Sequence, residues 1–155
     1  MNNKEVLKLK GLIEIKQIRE GKVISKRTIK NTITNAGLAE IANLAGNVST
    51  PAAFTYLAVG VGTTAAAATD TALESEIIDS GLARSAATVT RQTTNETNDT
   101  LQLVKQWTAS GAKAVTEVGA LNASSAGVML GRQVFAAVNV ASGDSLQVTY
   151  KFIFS

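Results

Sequence analysis

The chain has 155 residues, 45% of them apolar and 17% charged, with neither cysteine nor histidine. One self-sufficient core fits that length, while the two absences exclude disulfides, thiolate-bound metals, any Ser-His-Asp arrangement and the usual charge switch near neutral pH. Its net charge of +3 is unevenly divided: residues 1–34 hold nine Lys and Arg against three Glu, a net +6, and residues 35–155 hold six against nine, a net −3.

Leu7, Leu9, Ile13 and Ile15 alternate with Lys8, Lys10, Glu14 and Lys16, the period of a half-buried strand. Arg19-Glu20-Gly21-Lys22 reads as a tight turn and residues 23–33 as the returning strand. Residues 1–34 therefore predict a basic β-hairpin, able to extend from the body as an arm. Its Lys8, Lys10, Lys26, Arg27 and Lys30 are candidate contacts to an acidic partner. The plainer alternative is a solvated strand face with edge-guarding lysines. Asn35 is placed to cap a helix over residues 36–45, with Leu38, Ile41, Ala42 and Ala45 on one face and Gly46 as the stop. Residues 47–53 contain Pro51, the chain's one proline, and predict a loop before a strand starting at Phe54. A second short helix is expected near residues 70–77, where Thr71 and Glu74 have capping-box spacing.

The second half is β by local pattern. Residues 82–94 and 100–109 flank the polar turn 95–99, and residues 115–121, 128–138 and 146–154 complete the set. Leu146, Val148, Tyr150, Phe152 and Phe154 share one face, which predicts a central strand. The expected fold is mainly β: one domain over residues 1–155, an antiparallel β-sandwich or partly closed barrel with an N-terminal hairpin and one or two short covering helices.

Chemistry-bearing patterns are sparse. Gly60-x-Gly62-x-x-Ala65 after a strand fits a loose dinucleotide fingerprint, but no long helix follows and no lysine makes it a phosphate loop. A strand-to-loop turn whose glycines supply positive φ accounts for it. Asp70, Glu74, Glu76 and Asp79 could offer oxygen ligands to Ca²⁺, yet they lack EF-hand spacing, and helix-start capping explains the first two. Seven aromatic residues are few for a sugar-binding cleft, and Trp107 reads as core. Glu117 and Arg132 sit in strand-like runs where burial is expected, and opposite charges on neighbouring strands predict a structural ion pair. No nucleophile accompanies them, so no catalysis, cofactor or metal is expected. The lysines have no interleaved aromatics, which ranks nucleic acid below a protein partner. No secretory leader or membrane-spanning run is read, so synthesis in the cytosol is expected.

Five short motifs occur in order: Tyr56 to Gly62, Asp70-Thr-Ala-Leu-x-x-Glu76, Val115-x-Glu117-x-Gly119-x-Leu-Asn122, Gly131-Arg-Gln-Val-Phe135 and Gly143-Asp-Ser-Leu-Gln-Val148. Their order resembles a widespread group of small structural proteins of tailed bacteriophages, over residues 35 to 155. The resemblance implies a non-catalytic virion component, assembled in the host cytoplasm. Among the roles it implies, an oligomeric capsid decoration protein bound to the major capsid protein or its neighbours is favoured. A tail or fibre component and a carbohydrate-binding surface β-module are the alternatives.

Overall fold

The computed structural model describes residues 6–155, so the first five residues of the expected hairpin lie outside it. Ten strands and one helix follow in order: β1 Leu9–Arg19, β2 Lys22–Lys30, β3 Thr32–Ile33, α1 Asn35–Gly46, β4 Tyr56–Gly60, β5 Ser85–Ala86, β6 Thr88–Gln92, β7 Thr100–Thr108, β8 Lys113–Leu121, β9 Met129–Val140 and β10 Ser145–Phe154. They form two five-stranded antiparallel sheets, β2-β1-β10-β7-β6 and β3-β9-β8-β4-β5. This is a β-sandwich, and the chain changes sheet four times: at Asn31 between β2 and β3, at Ala87 between β5 and β6, between β7 and β8, and between β9 and β10.

β10 lies at the centre of the first sheet, as its five-residue apolar face requires. Leu146, Val148, Tyr150 and Phe152 are fully buried, and the Tyr150 and Phe152 rings stack with centroids 4.6 Å apart. Each such side chain contributes about 1.5–3 kcal/mol of burial. Facing them are Val115, Val118, Val138 and Val140 of the second sheet, and beside Leu146 in the same sheet lies Trp107 of β7, whose indole N–H donates to the Ala83 carbonyl at 2.8 Å.

The hairpin is not an arm. β1 pairs with β2 on one side and with β10 on the other from Leu9↔Phe154 to Ile18↔Ser145, and its Ile13, Ile15 and Gln17 are buried. Its turn is held as well. Arg19 donates to both Asp144 carboxylate oxygens at 2.8 Å, and Gln17 Nε2 donates to Oδ2 at 2.8 Å. Glu20 and Gly21 take φ values of 50° and 76°, the two left-handed residues a two-residue hairpin turn needs.

Side chains close the seam between the sheets on this flank. Gln17 of β1 donates to the Asn139 carbonyl and Arg27 of β2 to the Ala136 carbonyl, while Gln133 of β9 donates back to the Lys30 carbonyl, so the open edge of β9 is tied to β1 and β2. At the corner, the Asn31 amide donates to the Tyr150 hydroxyl at 2.7 Å. A Cβ on Gly11 would stand 1.6 Å from Asn31 Oδ1 and one on Gly131 2.3 Å from its Nδ2, so both neighbouring strands need glycine there.

Two helix expectations change. Thr34, not Asn35, caps α1, because its buried hydroxyl accepts from the Gly37 N–H at 2.9 Å and donates to the Met129 carbonyl. Asn47, in the left-handed region, ends the helix after Gly46. Ile41 and Leu44 pack on the core, whereas Leu38, Ala42 and Ala45 are exposed, so the buried face is rotated from the expected one. No helix forms over residues 70–77; the chain there runs as an irregular strap across the second sheet.

Truncating Phe152 to Ala is expected to cost about 3–5 kcal/mol, read as a lowered urea midpoint with the slope unchanged. A loss near 1 kcal/mol would contradict the central placement of β10.

Candidate functional site

Two charged assemblies stand out, one closed and one open. The closed one lies on the outward face of the second sheet. Glu117 on β8 and Arg132 on β9 are 0% and 2% exposed beneath the strap of residues 61–84. Arg132 donates through Nε to Glu117 Oε2 at 2.9 Å, through Nη1 to Asp70 Oδ2 at 2.8 Å and through Nη2 to the Thr64 carbonyl at 3.2 Å. Glu117 Oε1 accepts the N–H groups of Gly62 at 3.0 Å and Ser75 at 2.7 Å, and its Oε2 also accepts that of Glu74 at 3.1 Å. The sequence pair is thus brought together inside a larger cluster.

This cluster explains the glycine motif and the missing helix. Neither Gly60 nor Gly62 has a positive φ. A Cβ on either would come within 2.3 or 2.6 Å of Glu117 Oε1, so the glycines are required by close approach of a carboxylate, not by a turn. Their loop wraps an anion supplied by the chain itself. The amides of residues 74 and 75, which a helix would turn inward, point at Glu117, and Leu73 drops between Ala58, Leu121 and Met129. The acidic run holds no metal arrangement: no such group of three ligands occurs among the described residues. Asp70 and Glu74 serve Arg132 and the Thr63-Thr64 turn, Glu76 forms a bidentate pair with Arg84 at 2.6 and 2.9 Å, and Asp79 pairs with Lys113 at 2.8 Å.

Burial works against the charge on Asp70, but the Ala67 amide and the Arg132 guanidinium outweigh it and hold its carboxyl below the ordinary value. The Thr64 amide and hydroxyl lower Glu74 likewise. Arg19, the Ala141 amide and Gln17 keep Asp144 well below the usual range, and the amides of Glu96 and Asn95 do so for Asp99. Arg132 is raised by Asp70 and Glu117 against the opposing effect of burial.

The open assembly is the outward face of the first sheet. Cross-strand rows place Lys30, Leu12 and Lys151 side by side, then Thr28, Glu14 and Thr149, then Lys26, Lys16 and Gln147, with Lys10 beside Ile153. Five lysines thus surround one carboxylate. Glu14 accepts Lys16 at 3.0 Å and Lys26 at 3.2 Å, and these ammonium groups, Lys16 foremost, lower its pKa. Lys10, Lys30 and Lys151 pair with no carboxylate among the described residues. The face is shallowly concave, with a depression of about 250 Å³ floored by Leu12, Glu14, Thr28 and Thr149.

Of the five predicted contact residues, Lys10, Lys26 and Lys30 share this face and Lys8 is exposed just before β1. Arg27 has the opposite parity; half-buried, it spends its guanidinium on the Ala136 carbonyl. Lys16 and Lys151 were missed. Lys16 has the parity of Lys10 and was legible, whereas Lys151 reaches the patch only through the pairing of β1 with β10. No protein-family model, curated protein sequence or solved structure matches the chain. No helix among the described residues is long and apolar enough to cross a membrane.

Replacing Glu117 by Gln is expected to cost about 3–5 kcal/mol in urea unfolding, because the new amide must turn an N–H₂ towards existing donors whichever way it sits. Stability equal to the parent would show the cluster to be dispensable. The depressed carboxyls stabilise fully above their unfolded values, 3.8 for the aspartates and 4.5 for Glu74, and less as pH falls through the folded ones. The urea midpoint should therefore hold from neutrality to about pH 5 and fall below about pH 3.8. A drop already complete above pH 5 would contradict this sign.

Proposed function

We propose that this chain is a structural protein of a bacteriophage virion, a non-catalytic capsid decoration protein that seats the outward face of its first sheet on an acidic surface of the shell. The observation that carries the reading is that face: five lysines around one glutamate, three of them unpaired among the described residues, on a rigid five-stranded sheet. A broad, shallow, polar and cationic surface of this kind suits a protein contact better than a small ligand.

The motifs behind the phage resemblance support a scaffold role. Gly60, Gly62, Asp70, Glu74, Glu117 and Arg132, drawn from four of the five segments, converge on the clamp beneath the strap. In the fifth, Asp144 ties the turn before β10 to β1. What the ordered motifs encode here is a way of holding a β-sandwich together without disulfides. Their polar groups are spent on one another, which favours assembly over catalysis.

The test is cryo-electron microscopy of the particle that encodes the chain, with parent protein and with a Lys10→Glu, Lys30→Glu, Lys151→Glu variant whose fold is verified by circular dichroism. The parent is expected at capsomer junctions, and the variant's occupancy should fall about tenfold or more. Density confined to the tail would overturn the capsid placement and keep the structural role. Unchanged variant occupancy would remove the basic face as the contact, and absence of the parent from the particle would sink the virion reading.

A further inference from the structure

The basic face does not end at the rim of the sheet. Three adjoining depressions, of about 360, 240 and 400 Å³, lead from it around the end of the sandwich and along α1. The first and second share Leu9 and Ile33, and the second and third share Ile41 and Phe154, so they form one groove. Its walls are aliphatic and aromatic. Leu38, 48% exposed on α1, and Leu7, 75% exposed before β1, overhang the middle section.

Charge distinguishes this groove from a plain apolar scar. Among the described residues the only charged side chains lining it are Lys10 and Lys30, both at the mouth that opens onto the basic face, and none of the described Asp or Glu lines any of its three sections. Neither lysine has a carboxylate partner among the described residues. An occupant that buries aliphatic side chains along Leu9, Ile33, Ile41 and Phe154 therefore meets two cations where it leaves the groove. A lysine-bearing segment would be repelled there, and a wholly polar one would leave the apolar walls uncovered.

We propose that this groove binds a short segment of a partner protein in which aliphatic side chains stand next to carboxylates. The binding chemistry follows from the groove alone; the proposal rests on the assembly reading only in taking the partner to be a shell protein. Such a segment would add an anchor beside the broad electrostatic contact, with apolar burial supplying residence time and the lysines supplying orientation.

The test is selection from an immobilised heptapeptide library randomised over Leu, Ile, Val, Asp, Glu, Asn, Gln, Lys and Ser, using the full chain. The most enriched peptide is then titrated by fluorescence anisotropy. Enrichment of aliphatic residues beside Asp or Glu is expected. The amide counterpart of that peptide should bind about tenfold more weakly. Leu38→Glu, at a half-exposed position and with its fold verified by circular dichroism, should weaken the acidic peptide by about tenfold, and Lys10→Glu with Lys30→Glu should abolish the preference for acid over amide.

Selection of lysine-bearing or wholly polar peptides, or no saturable binding up to about 1 mM, would overturn the proposal. So would a concentration-dependent dimer in sedimentation velocity that Leu38→Glu abolishes, which would assign the groove to a second copy. Tighter peptide binding after removal of residues 1–5 would assign it to the chain's own N-terminal segment, with the same consequence. Peptide selection that succeeds for a protein absent from the particle leaves the groove standing and removes the virion reading; the converse result removes the groove alone.

Discussion

The fold depends on a carboxylate that water never reaches. Glu117 projects from the outward face of the second sheet, where a charge would ordinarily stay solvated, and the chain covers it with a strap of some twenty residues. Burying that charge alone would be prohibitive, and the strap has no helix or strand of its own to order it. Each resolves the other's difficulty: amides of Gly62, Glu74 and Ser75 satisfy the carboxylate, and the carboxylate gives those amides the partner that regular structure would have supplied. Arg132 completes the exchange by joining Glu117 to Asp70 and to the Thr64 carbonyl.

This arrangement separates the molecule's charges by role. Most of its acidic groups are consumed internally: Glu117, Asp70 and Glu74 around Arg132, Glu76 with Arg84, Asp144 with Arg19 and Gln17, and Asp99 in the turn it closes. Most cations of the first hairpin are left outward. The sequence asymmetry between residues 1–34 and the rest therefore becomes a spatial one, with a basic sheet face on one side and a neutralised, strapped face on the other. Because β1 is locked between β2 and β10, that basic face is rigid, and it presents a preformed pattern of charge instead of a flexible arm.

The β-sandwich was legible wherever a residue's partner on one face is set by period two. The alternation in β1 and the five-residue apolar face of β10 each determined burial, and the Glu20-Gly21 turn determined the pairing as far as Ile18↔Val23, beyond which a bulge shifts the hairpin register by one. Arg27 misled because a β-bulge leaves Ile24 unpaired and shifts the hairpin register by one: alternation carried through the turn puts Arg27 opposite Glu14, whereas it lies opposite Ile15 with inward parity. The strap was misread because its helix signals, Asp70, Thr71 and Glu74, are local, whereas the group that captures its amides lies more than forty residues away. Glu117 and Arg132 could be paired from sequence because both interrupt apolar strands. The glycines that make room for them could not be assigned that purpose without the register of β4 against β8.

The centre of the first sheet joins the two ends of the described chain. Leu9 lies opposite Phe154, and β10 in turn is the only strand that links β1 and β2 to β7 and β6. Pairing so distant in sequence carries a large loop-closure cost before any native contact repays it, and such topologies fold slowly. During synthesis the first hairpin must therefore wait, with Ile13 and Ile15 uncovered, until β10 has left the ribosome. Charges on the alternate positions of β1, Lys10, Glu14 and Lys16, then protect the unfinished chain from aggregation as well as shape the finished surface.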